Sequence, residues 1–171
     1  MISKEMVMGS ENSSMELLSN LLITFSQTAL ECVNDFFSIQ SVILMPFEVV
    51  DQLQSKFDFI LTIGSSNENY SALMIVGIQR ESLCAFTGRV GISYDEAADI
   101  LGEFTNNFSG MISDEQPFTD RFGILSQAVP ILYTEGQSYL SNTCGIQGYV
   151  YLQAHWIYIG YTIRERSRQI Q

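Results

Sequence analysis

The chain has 171 residues, 46% of them hydrophobic, which suffices for one folded domain with a substantial core and falls short of two full-sized domains. A net charge of −11 excludes nucleic acid as a partner, because phosphate binding needs clustered Lys and Arg, and it disfavours an anionic membrane surface for the same reason. Cys32, Cys84 and Cys144 are odd in number and far apart, so they read as reduced thiols rather than a disulfide frame or a zinc site.

In chain order, residues 1–10 read as a loose segment with no secretory signal. Glu11–Phe37 follows as a long amphipathic helix capped by Ser13 or Ser14. Its stripe of Leu18, Leu22, Phe25, Ala29, Val33 and Phe36 recurs at steps of three and four. Three strand-like stretches come next, Ser41–Val50, Lys56–Gly64 and Tyr70–Gln79, the last two joined by the turn "SSNENY". Glu81–Gly88 reads as a short helix closed by Gly88.

Ser93–Ser113 is the second long helix, with Ser93 and Glu96 spaced as a capping box. The polar "DEQPFTDRFG" carries at most a helical turn, and Ala128–Gly136 looks extended. "GIQGYVYLQ" and "HWIYIGYTI" alternate like two hairpin strands joined around Ala154 and His155. Residues 165–171 read as a loose, solvated tail in spite of the cations in "RERSRQ". No apolar run is long enough to span a membrane. The expected fold is therefore α+β in two layers, with two long helices packed on a mostly antiparallel sheet of about six strands, in pseudo-two-fold halves.

The second long helix contains "DILGEFTNNFSG". At about 100° per residue, Ala97, Leu101, Phe104, Phe108 and Met111 form its core side. Asp99, Glu103, Asn106 and Gly110 form a narrow stripe on the opposite side. Asn and Gly are poor helix formers, Gly by roughly 1 kcal/mol against Ala. The spacing alone leaves two readings open, a solvated face, which is the commoner, and a site.

The same residues resemble the signature helix of the CheX and CheC chemotaxis phosphatases: Asp or Ser, three residues, Glu, two residues, Asn, then a later Pro. Asp99, Glu103 and Asn106 match in spacing, Gly102 and Gly110 are typical of the family, and Pro130 fits the later Pro loosely. The resemblance is closest to the single-site CheX type. It implies a phosphatase that hydrolyses the phospho-aspartate of a CheY-like response-regulator receiver domain in two-component signalling, in keeping with the cytoplasmic location that the reduced cysteines and the lack of a signal or membrane span lead one to expect. It further implies that Asn106 orients the attacking water, that Glu103 anchors the receiver's lysine, and that Asp99 and Gly110 support the interface. The Mg²⁺ would sit on the phosphorylated partner, with no cofactor or metal bound by this chain, and the protein would be a homodimer, with "HWIYIGYTI" or another edge strand as the pairing element.

A second Glu-x-x-Asn, Glu31 and Asn34, faces away from the first helix's apolar stripe and would make a weaker second site. It is flanked by Gln27 and Ser38 and has no Pro near Phe57. His155, the single histidine, reads as a structural residue, which argues against triads and histidine-rich metal sites. No phosphate-binding glycine loop is present. The alternative function is a non-catalytic receiver-binding module or a dimeric sensor domain of the same fold.

Overall fold

The computed structural model describes residues 4–40, 42–134, 139–141 and 144–166. The first half comprises α1 (Lys4–Phe37), β1 (Ile43–Leu44), β2 (Glu48–Val50), β3 (Leu53–Ser55), β4 (Phe59–Ser66) and β5 (Tyr70–Ile78). After α2 (Arg80–Thr87) come α3 (Tyr94–Asp114), α4 (Gln116–Phe122), β6 (Ser126–Gln127), β7 (Ile131–Tyr133), β8 (Tyr139–Ser141), β9 (Gly145–Leu152) and β10 (His155–Glu165).

The long strands lie in the order β9–β10–β5–β4, each pair antiparallel. β1 and β2 both pair with β9 at one edge, and β6 and β7 both pair with β4 at the other. β3 pairs with β8 as a separate two-stranded ribbon. Exchanging β1 for β6, β2 for β7, β3 for β8, β4 for β9 and β5 for β10 returns the same pairing map. The step from β1 to β2 equals the step from β6 to β7. The pseudo-two-fold halves expected from the order of elements are thus carried by the sheet.

Several boundaries differ from the sequence expectation for local reasons. α1 starts at Lys4, ahead of the expected Ser13 or Ser14 cap, since no proline interrupts it and a single Gly9 costs only about 1 kcal/mol. The strand expected over 41–50 breaks into β1 and β2 around Pro46, which has no N–H to give a ladder. In that break Phe47 turns into the core and crosses β9 at Gly148, where a Cβ would fall inside its ring. β10 is no edge strand: it lies between β5 and β9, with both sides paired. Its pairing role in a dimer is therefore excluded, and among the described residues the free edges of the large sheet are those of β1–β2 and β6–β7. Ile157 to Ile163 are buried without alternation because both faces of the strand are covered. Of the expected C-terminal tail, residues 167–171 lie outside those described.

Other local expectations hold. Gly88 closes α2 in the left-handed conformation, φ 66°. The connection over 114–123, by contrast, departs from its expectation: it forms the seven-residue α4, with Pro117 in the first turn, where a missing N–H is harmless. In the β4–β5 turn, the Asn67 carbonyl accepts from the N–H groups of Asn69 and Tyr70, at 2.9 and 2.8 Å. The Asn67 amide donates to the Phe122 carbonyl at 2.7 Å, tying the hairpin to the end of α4.

The helices cover one face of the sheet and enclose the main core. The opposite face carries a smaller core of Leu53, Ile60, Ile75 and Tyr158, to which the β3–β8 ribbon contributes Leu53. At the centre of the main core Phe25 is fully buried and meets four rings, those of Phe47, Phe108, Phe118 and Tyr161, at centroid distances of 5.7, 5.3, 6.4 and 5.5 Å. Phe25→Ala removes the ring that joins α1 to α3, α4 and the sheet, and it should lower unfolding free energy by about 3–5 kcal/mol in urea denaturation.

Candidate functional site

α3 is fixed at its start by the capping box. The Ser93 hydroxyl accepts from the Glu96 N–H at 3.2 Å, and the Ser93 N–H donates to the Glu96 carboxylate at 2.9 Å. The Ser93 N–H and hydroxyl hold the Glu96 carboxyl below its usual range, with a smaller effect from Arg89 3.3 Å away. With its first turn pinned, α3 lays Ala97, Leu101, Phe104, Phe108 and Ile112 against the core. Met111, expected in that set, is only half-buried because it faces the flank toward α1.

The opposite face holds the stripe as the wheel places it. Asp99, Glu103 and Asn106 are exposed and Gly110 is half-buried. Among the described residues, no hydrogen bond or ion pair engages the side chains of Asp99, Glu103 or Asn106, so a carboxylate and an amide stand on one helix face one turn apart. Gly102 and Gly110 flank them, and a Cβ built at either would meet nothing within 4 Å. The fold itself does not need these two glycines, and each costs roughly 1 kcal/mol against Ala in a helix interior. They leave the α3 backbone open to close approach from outside.

α1 and α3 run antiparallel: Phe36 packs on Phe104 at 5.4 Å, while the Thr28 hydroxyl donates to Glu115 at 3.3 Å. Between them lies a groove of about 480 Å³, into which Asn106, Asn107, Gly110 and Asp114 of α3 face Asp35 and Phe36 of α1. Cys32 lines it too, its thiol pushed up to about 12 by burial first and by the Asp35 charge second. That thiol is neutral at ordinary pH and unsuited to nucleophilic work. Asn107, Asp35 and Asp114 carry no signal in the sequence, since their grouping depends on how two helices cross.

The remaining candidates lie elsewhere. Glu31 is exposed, whereas Asn34 is half-buried and its side-chain carbonyl is enclosed, with no hydrogen-bond partner among the described residues. Only Glu31 of this pair faces solvent as the wheel suggested. The chain reverses at Ser38, φ 54°, and returns beside Asn34, whose backbone carbonyl accepts from Ile39 at 3.0 Å. Pro130 is half-buried just ahead of β7 at the sheet edge and does not belong to α3. His155 opens β10 with its Nδ1 3.5 Å from the Ser82 hydroxyl. Among the described residues no three His, Cys, Asp or Glu side chains form a group that could hold a metal ion, and no helix is long and apolar enough to cross a membrane.

Because the space beside each glycine is empty, Gly102→Ala and Gly110→Ala should each raise unfolding free energy, by about 0.5–1 kcal/mol in denaturant titrations. A loss of stability in either variant would mean that the helix needs its glycine there.

No family model and no curated protein matches the sequence. Solved structures do match. Chemotaxis protein CheX from Vibrio vulnificus superposes with a TM-score of 0.65 at 13% identity, over 82% of this chain and 96% of that one. A CheC-like superfamily protein from Shewanella sp. PV-4 gives 0.60 at 14% identity, over 82% and 94%. A structure of the CheX–CheY–BeF3–Mg²⁺ complex from Borrelia burgdorferi gives 0.58 at 11% identity, over 82% and 96%. The chain has the fold of the CheX and CheC-like chemotaxis proteins, as the residues from Asp99 to Gly110 lead one to expect.

Proposed function

We propose that the chain is a phosphatase acting on the phospho-aspartate of a CheY-like receiver domain. The observation that carries this reading is the pair Glu103 and Asn106, exposed on one face of α3, without internal partners and bracketed by two glycines that the fold does not require. The fold shared with CheX, and the complex in which a CheX binds a CheY, support the class of partner.

Hydrolysis of an acyl phosphate asks little of the second protein. Water attacks phosphorus in line, the bond from phosphorus to the aspartyl oxygen breaks, and the products are inorganic phosphate and a free carboxylate. The receiver supplies the aspartate, the Mg²⁺ and a lysine. The Asn106 amide has both an acceptor and a donor with which to orient the water. Glu103, one turn earlier, pairs with the receiver's lysine and fixes the register of docking. Asp99, a further turn back, borders the contact, and Gly110 lets the receiver's backbone approach. Under this reading the protein works in the cytoplasm, where receivers are phosphorylated, and its homodimer would form through one of the free sheet edges. Glu31 and the enclosed Asn34 would add no second centre.

The test is phosphate release from a panel of receivers charged with acetyl phosphate and Mg²⁺. Asn106→Ala should lower kcat roughly 10²-fold with KM little changed. Glu103→Ala should raise KM about tenfold, equivalent to about 1.4 kcal/mol. Full activity of the Asn106 variant would overturn the assignment of roles. Saturable receiver binding without any shortening of the phosphate lifetime would make the chain a binding module instead.

A further inference from the structure

The hydrolysis described above uses the open face of α3 and leaves the groove between α1 and α3 without a task. That groove opens beside Asn106. Its lining is partly apolar, with Phe36 and Met111 half-buried and the neutral Cys32 buried. Asp35 and Asp114 are its two carboxylates, both exposed. Because the helices are antiparallel, Asp35 lies near Asn106 and Asn107, and Asp114 lies toward the other end. Each sits in the last turn of its helix, where no basic residue is present, and neither makes an ion pair among the described residues. A helix C-terminus already concentrates negative potential, so a carboxylate there is unfavourable within the chain and attracts a cation from outside. Gly110 adds the remaining condition, since the space where its side chain would stand is empty at the groove.

We propose that the α1–α3 groove receives a basic, partly apolar segment of the same receiver, with Lys or Arg stems lying on Phe36 and Met111 and their cationic heads reaching Asp35 and Asp114. The groove then selects which receiver docks, while Glu103 and Asn106 act on whichever receiver has docked. The inference rests on the receiver reading of the site.

The experiment uses the full-length chain and the charged receiver on which it is most active. Asp35→Asn with Asp114→Asn keeps both side-chain shapes at exposed positions, and its thermal unfolding should match the parent's. It should raise KM about tenfold, leave kcat unchanged and flatten the rise of KM with salt, since charge steering is lost. Zero-length carbodiimide coupling should join Asp35 or Asp114 of the parent chain to a receiver lysine, identified by mass spectrometry. An unchanged KM and salt dependence with no such cross-link, in a chain that still hydrolyses the phosphate, overturns the groove alone. A parent chain that neither binds nor dephosphorylates any receiver overturns both the groove's occupant and the function on which it rests.

Discussion

Phe104 and Phe108 are the residues on which the presentation of the site depends. Both are fully buried, packed against Phe36, Phe37 and Phe25 of α1, and in a helix covered on one side only, burying that side turns the opposite one outward. The rotational setting of α3 is therefore decided in the core, and Glu103 and Asn106 are turned outward as a consequence. The capping box adds the axial setting by pinning where the helix starts. Rotation and translation are thus both fixed by residues that never meet a partner. Such fixing would spare a site made of two side chains any backbone ordering at the moment of docking, leaving only their rotamers to settle.

The same arrangement separates what stabilises the chain from what the fold leaves unused. The core face of α3 is packed to completion, while its outer face carries two glycines, an asparagine pair and several carboxylates with almost no internal bonding. Helix propensity would favour alanine, lysine or arginine at those places. Along the stripe and its flank, local preference and fold disagree, and such disagreement is expected where a surface is shaped for something outside the chain.

Much of this was legible in the sequence because it depends on short-range periodicity. The wheel that puts Phe104 and Phe108 inside needs only their spacing, and the Ser93–Glu96 box needs only three residues of separation. The two hairpins were readable from alternation and turn residues. β3 and β8 were not, since strands of three residues carry too little pattern to tell from a loop. The central position of β10 was also hidden, because alternation tells nothing of how many neighbours a strand has. Asn34 shows the limit of the wheel itself: it lies off the apolar stripe, yet its side-chain carbonyl is buried. The groove acids Asp35 and Asp114 become neighbours of one cavity only once α1 and α3 are laid side by side.

The exchange of edge strands between the two halves has a consequence for synthesis. β1 and β2 find their partner in β9, so the Gln147 amide bonds to the Glu48 carboxylate 99 residues back in the chain. While the ribosome is still making α3, those two strands have nothing to pair with, and α1 has no opposite helix for its Phe36 and Phe37. Closure of the sheet must wait until β9 has emerged, and so much long-range pairing makes for slow folding. The nascent first half thus keeps apolar surface uncovered until β9 and α3 are made, as a client for whatever shields unfinished chains.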